Sequence, residues 1–218
     1  MKVGTDGVLL GAWTNVEHAS TILDVGTGSG LIALMLAQRT TDKVQIDAIE
    51  IEQHAFEQAS DNIKDTPWYY RVTAHHAALQ EFESTCRYDL IVSNPPYFQN
   101  SQKPPDEKRV QARHTISLSY PELLLSSAKL LNSSGRLSVV LPFTEGLQFV
   151  TLAGQHNLHC SRQWSFRTRR EKPIERWLLE FSFTPLSTPE TGEILLYKHG
   201  EEWSDAYKKL TREFYLKL

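Results

Sequence analysis

Apolar and polar residues along the chain fall into two alternating rhythms. Short apolar runs at 21–25, 44–50, 70–74, 89–93 and 136–141 predict strands, while 31–38, 52–63 and 121–131 repeat their apolar positions at helical spacing. Strands alternating with helices of this length predict an α/β fold with a mostly parallel sheet and helices on both faces. Further on, runs at 158–166 and 176–183 flank a charged stretch of turn-like length and predict an antiparallel pair at the end of the sheet. A short helix is expected at 8–13, an extra strand at 193–197 after an irregular piece at 185–192, and a closing helix in 203–215. The segment 98–116 is polar, contains Pro104-Pro105 and is long for a connection, which favours a functional loop.

Two motifs sit at predicted strand ends. The first run leads into Asp24-Val25-Gly26-Thr27-Gly28-Ser29-Gly30 and then a helix start, an order that builds a nucleotide-type site at a helix N-terminus. Gly28-x-Gly30-x-x-Ala33 fits the relaxed dinucleotide fingerprint, with Glu50 following at roughly the 20-residue distance expected of a ribose-binding acid, so the loop alone leaves an NAD site open. The second motif, Asn94-Pro95-Pro96-Tyr97, follows the apolar run Leu90-Ile91-Val92-Ser93. Two successive prolines fix their own φ and carry no N–H, which makes a rigid shelf of acceptors. The Asn94 side-chain oxygen and the Pro95 carbonyl suit the two hydrogens of an amino group, and Tyr97 offers a flat face to a planar substrate. Read alone, the tetrapeptide is also compatible with a plain tight turn.

Gly26, Gly28 and Gly30, preceded by Asp24, resemble the S-adenosylmethionine loop of class I methyltransferases, and the tetrapeptide resembles the Asn-Pro-Pro-Tyr group among them. Lys2-Val3-Gly4-Thr5-Asp6-Gly7-Val8-Leu9-Leu10-Gly11-Ala12-Trp13, Gln111-Ala112-Arg113-His114 and the closing Phe214-Tyr215-Leu216 are similar to the bacterial tRNA1(Val) adenine-37 N6-methyltransferase family over nearly the whole chain. This resemblance implies a Rossmann-like sheet of seven strands in the order 3-2-1-4-5-7-6 with an antiparallel last strand, in one methyltransferase domain over 1–218. Within it, 1–20 would lie near the cofactor, 98–116 would form a substrate loop and 193–218 a C-terminal extension. It also implies S-adenosylmethionine bound by Lys2, Thr5, Asp24, Gly26, Gly28, Gly30 and Glu50, the last on the ribose hydroxyls. Catalysis would fall to Asn94, Pro95, Pro96 and Tyr97, acting on an adenosine of the tRNA anticodon stem-loop. Two departures stand out. The family carries a Phe- and Lys-rich segment ahead of the Lys-Val-Gly-Thr-Asp motif, whereas this sequence starts at Met1. After the third strand it reads His75-His76-Ala77-Ala78-Leu79 where the family tends to place an acid near the cofactor adenine, so weaker cofactor binding is expected.

Composition narrows the setting. With 218 residues, 40% apolar and 22% charged, the chain has the size and balance of one soluble α/β domain without a membrane-length apolar run. The N-terminus lacks a signal-peptide pattern, and Cys86 and Cys160 form neither a disulfide framework nor a Cys-x-x-Cys site; a cytoplasmic protein is expected. His75-His76 do not make a metal site, because adjacent strand residues point to opposite faces, and no metal is expected. A net charge of −3 hides a basic stretch in which Arg162, Arg167, Arg169, Arg170, Lys172 and Arg176 face only Glu171 and Glu175. If it lies at the same end of the sheet as Lys103, Lys108, Arg109 and Arg113, Arg109, Arg113, Arg167, Arg169, Arg170 and Lys172 make an RNA-sized footprint. Otherwise it is a solvated strand connection. Methylation of a protein glutamine, as in release factors, and a non-catalytic cofactor- or RNA-binding module remain the alternatives.

Overall fold

A computed structural model describes residues 4–97 and 118–215. Among them, eight strands form one sheet: β1 (Thr21–Val25), β2 (Gln45–Glu50), β3 (Val72–His76), β4 (Tyr88–Ser93), β5 (Leu131–Pro142), β6 (His159–Arg167), β7 (Arg176–Ser182) and β8 (Glu190–Leu195), in the order β3-β2-β1-β4-β5-β7-β6-β8. The first five strands in this order are parallel, β7 runs antiparallel to both β5 and β6, and β8 joins β6 in parallel. The seven-strand order implied by the resemblance is therefore present, with β8 added at the edge. At that edge the Trp164 indole lies over Gly192, where a Cβ would overlap the ring. A glycine is what lets β8 dock.

Alternate strand residues face opposite layers. Ile22, Ile46, Leu90, Val92, Val140 and Leu178 pack with Leu9, Leu10 and Trp13 of α1 (Thr5–Trp13) and Ala33 and Leu36 of α2 (Leu31–Arg39). Leu23, Ile49, Ile91, Val139, Leu141 and Leu179 pack on the other side with Leu123 and Leu124 of α4 (Tyr120–Leu130) and Phe149 of α5 (Phe143–Ala153). Between β2 and β3, α3 (Gln53–Lys64) begins where the Glu52 side chain accepts the His54 and Ala55 N–H groups, and α4 begins with a Ser119/Glu122 capping box and Pro121.

The differences from the sequence expectation have local causes. β3 starts two residues late because Trp68 accepts the Arg71 and Val72 N–H groups in a turn, and Arg71 is buried with its guanidinium donating to the carbonyls of Ala37, Thr40 and Val44. α5 was not expected; it buries Gly146, Phe149 and Ala153 on one face, and Gly146 lets it sit on Trp177. The closing helix, α6 (Asp205–Thr211), is shorter than 203–215, because Trp203 pairs with Tyr197 in a hairpin of β9 (Tyr197–His199) and β10 (Glu202–Trp203), and Ser204 caps the helix. No helix of the described residues is long and apolar enough to cross a membrane.

Two features position the site. The chain moves outward from β1 through β2 and β3 and returns to place β4 on the other side of β1, so the C-terminal ends of β1 and β4 flank a topological switch point, where open α/β sheets bind ligands. The antiparallel pairing Pro142↔Arg176 and Phe166↔Arg176 brings the β6–β7 connection to this same end.

Candidate active site

The glycine loop after β1 is pinned from below by main chain and by two carboxylates. Gly26 and Thr27 donate their N–H groups to the Ile49 carbonyl at 3.0 Å. Glu50 Oε2 accepts the Gly28 N–H at 2.9 Å, and Glu50 Oε1 accepts those of Ile51 and Glu52 at 2.9 and 3.0 Å. Asp24 Oδ2 accepts the Thr27 hydroxyl at 2.6 Å and the Ala33 N–H at 3.1 Å, doing for α2 what its N-cap, Gly30, has no side chain to do. Gly26, Gly28 and Gly30 all have positive φ, at 69°, 59° and 82°, a region that costs glycine little.

This arrangement fits S-adenosylmethionine. A Cβ on Gly26 would enter open space, so the loop presents bare backbone to whatever lies above it. Asp24 is fully buried and its Oδ1 has no hydrogen-bond partner. Burial pushes its carboxyl up to about 7, against the Thr27 and Ala33 bonds that lower it. Glu50 is almost buried, and two carboxylate oxygens offer roughly four acceptor directions, of which the Gly28, Ile51 and Glu52 N–H groups use three. One direction therefore remains for a ribose hydroxyl.

Asn94-Pro95-Pro96-Tyr97 leaves the neighbouring strand at the same level. Val25 pairs with Ser93, whose hydroxyl donates to the Val25 carbonyl at 2.9 Å, so glycine loop and tetrapeptide are tied together across one strand spacing. Pro95 is buried, Pro96 exposed, and Tyr97 half-buried against the α4/α5 layer. The Tyr97 Oη lies 2.6 Å from Asp6 Oδ2 and 2.9 Å from the Asn94 side-chain amide. Arg176 Nε donates to the same Asp6 oxygen at 2.8 Å, and its guanidinium carbon stands 5.2 Å from the Tyr97 ring centre. Burial, reinforced by Asp6, pushes the Tyr97 phenol far above its ordinary value; burial lowers the Arg176 value, but the Asp6 bond and charge outweigh it. A cavity of about 380 Å³ opens beside these groups, lined among others by Thr5, Asp6, Asn94, Tyr97, Thr168 and Arg176. It has the size of a small-molecule pocket.

Asp6 and Arg176 were not singled out as site residues from the sequence. Asp6 stood inside the opening signature without a role, and Arg176 was counted only as a basic residue. The β6–β7 connection reaches the pocket wall through Thr168 and Glu175. Its members differ: Arg167 is paired with Glu193 at 2.9 Å and Arg169 stacks on Tyr197 at 5.1 Å, whereas Arg170 and Lys172 are exposed. Lys2, Arg109, Arg113 and the proposed substrate loop lie outside the described residues. At the end of β3, Ala77 donates its N–H to the Glu50 carbonyl at 3.0 Å. His75 bonds Asp47 at 2.7 Å and His76 stacks on Phe56; among the described residues no three His, Cys, Asp or Glu side chains converge as metal ligands.

Comparison with known proteins gives this geometry a family. The model of the methyltransferase small domain matches residues 4–153. A tRNA1(Val) (adenine(37)-N6)-methyltransferase of Parabacteroides distasonis is 44% identical over 220 residues, spanning 100% of this chain and 92% of that protein. One of the same description from Vibrio campbellii is 43% identical over 218 residues, spanning 100% and 90%. Among solved structures, a protein described as a predicted O-methyltransferase from Agrobacterium tumefaciens aligns with a TM-score of 0.71 at 14% identity over 95% of this chain and 96% of that one, a likeness of fold. With its glycine loop and Asn-Pro-Pro-Tyr shelf side by side at the switch point, the chain belongs to the tRNA1(Val) (adenine(37)-N6)-methyltransferase family.

Proposed function

We propose that this chain methylates the N6 amine of an adenosine in a tRNA anticodon loop, adenine-37 of tRNA1(Val), with the pocket between Asp6, Asn94, Tyr97 and Arg176 receiving the base. The observation that carries this reading is the Val25–Ser93 pairing, which sets a cofactor loop and an amine-binding shelf one strand apart. The chain is an S-adenosylmethionine-dependent methyltransferase, and its cofactor supplies an electrophilic methyl group with a neutral thioether as leaving group. Thr5, Gly26, Gly28, Gly30 and Glu50 hold the cofactor, while Asp24 fixes the loop from beneath. The base is received by Asn94, Pro95 and Tyr97.

An adenine amine is a poor nucleophile because its lone pair is delocalised into the ring. Acceptors at the Asn94 side chain and the Pro95 carbonyl hold its two hydrogens, favour a tetrahedral nitrogen and aim its lone pair along the transfer direction. This is catalysis by orientation and electrostatics, and once the N–C bond has formed the now cationic nitrogen releases one hydrogen as a proton to solvent water. Extruding a base from its stack costs a few kcal/mol, least in a loop, and stacking on the Tyr97 ring returns about 1–3 kcal/mol. An anticodon-loop adenosine is thus a cheaper substrate than one in a duplex. Arg170 and Lys172, exposed at the rim, meet the phosphates that such a loop brings with it.

Three outcomes follow. Incubated with methyl-labelled cofactor and unmodified total tRNA, the protein deposits label that nuclease digestion returns as N6-methyladenosine; label on protein alone would establish the glutamine alternative. Glu50→Gln must turn an N–H toward a loop N–H where an oxygen now accepts, leaving a donor unsatisfied at a cost of about 1–3 kcal/mol. By calorimetry cofactor affinity falls about tenfold or more, and equal affinity removes Glu50 from the cofactor site. Arg170→Ala combined with Lys172→Ala weakens tRNA binding without altering cofactor affinity, and flattens the logarithmic salt slope by about 0.7–0.9 per lost phosphate contact. An unchanged slope returns those residues to a solvated loop.

A further inference from the structure

The Tyr97 hydroxyl has one hydrogen and two neighbours that both stand as acceptors, Asp6 Oδ2 at 2.6 Å and the Asn94 side-chain amide oxygen at 2.9 Å. It cannot donate to both. Asp6 has the stronger claim: it is the shorter contact, its carboxylate makes the bond charge-assisted, and it stands in the first turn of α1, where negative charge is stabilised by the helix N-terminus. Arg176 Nε fixes the same Asp6 oxygen from the other side. Once Asp6 takes the hydrogen, the phenol oxygen presents lone pairs to Asn94. An amide oxygen facing them at 2.9 Å is repulsive, whereas an amide N–H there makes a good hydrogen bond. The two ends of an amide are told apart only by their partners.

We infer that Arg176, Asp6 and Tyr97 form a positioning relay that turns the Asn94 side chain so that its N–H bonds the Tyr97 oxygen and its carbonyl oxygen is left for the target amine. This inference rests on the proposed function for the identity of that amine. Asp6 and Arg176 line the pocket beside the base and act on the amine through Tyr97, whose hydroxyl gains a role beside the stacking of its ring. Without the relay Asn94 is free to offer its NH2 to the amine, and donor meets donor.

The test is a kinetic cycle of Tyr97→Phe, Asp6→Asn and the double variant on unmodified tRNA, with cofactor affinity by calorimetry as the check on folding. Each single change is expected to lower kcat about 10- to 100-fold with cofactor affinity within about twofold, and the double variant to be no slower than the worse single, because Asp6 has nothing to act through once the hydroxyl is gone. Effects that multiply, or a Tyr97→Phe enzyme as fast as the native one, overturn the relay. A second readout needs no turnover: the Asn94 side-chain amide resonance in 15N-labelled protein, assigned by its loss in Asn94→Asp, shifts in both single variants while the Gly28 main-chain resonance stays in place. An Asn94 resonance that does not move in Tyr97→Phe also overturns the relay. Resonances that shift in both single variants, together with a native protein that fails to methylate tRNA, would instead sustain the relay and overturn the proposed substrate.

Discussion

The site depends on two buried carboxylates that hold a loop with few hydrogen bonds of its own. Between β1 and α2 the chain passes through three positive-φ glycines, of which Gly30 donates to the Thr27 carbonyl within the loop while Gly28 needs an acceptor from outside it, and buried donors without partners are costly. Glu50 from the end of β2 and Asp24 from the end of β1 accept the Gly28 and Ala33 N–H groups, and the Ile49 carbonyl takes two more. A carboxylate can do this because each oxygen accepts more than one bond. The arrangement has a cost, visible in the Asp24 oxygen left without a partner and in a carboxyl pushed up to about 7 by burial. Local stability is given up where the glycine loop keeps its shape.

The substrate half is assembled around that loop from distant parts of the chain. The Ser93 hydroxyl ties the start of the Asn-Pro-Pro-Tyr shelf to β1. From the N-terminus α1 brings Asp6, and from the hairpin opposite β7 brings Arg176. The added strand β8 pairs with β6 through Arg167↔Leu195 and leads directly into Leu196 on the pocket wall and Tyr197 beneath Arg169. A residue as small as Gly192 therefore matters to the pocket, since it allows β8 to lie against Trp164. The glycine loop, Asn-Pro-Pro-Tyr and the β6–β7 connection end up at one end of the sheet because strand direction puts them there.

Much of this was legible in the sequence where the signal is local. The glycine loop and Asn-Pro-Pro-Tyr are short motifs whose residue types dictate their own backbone, and β1 and β4 are mostly apolar runs buried on both faces. What was not legible is tertiary. Asp6 and Arg176 are separated by most of the chain, and nothing in the residues around either announces the other. α5 was invisible because its packing on Trp177 relies on Gly146, which reads as a poor helix former. β3 was displaced because Arg71, a residue type rarely buried, fills the gap behind α2 with its charge spread over main-chain carbonyls. The basic stretch was legible as charge but not as geometry, and pairing in the fold divides it into Arg167 and Arg169, engaged by Glu193 and Tyr197, and the exposed Arg170 and Lys172.

The central claim is that this pocket acts on an exocyclic amine held by two acceptors. The most direct measurement compares an anticodon stem-loop bearing adenosine at the target position with one bearing purine riboside there, which keeps the ring and loses only the amino group. The expected result is that the second RNA still binds, within several-fold, and accepts no methyl group. Methyl transfer to the purine riboside, or recovery of label from the adenosine RNA on a ring nitrogen, would contradict the account.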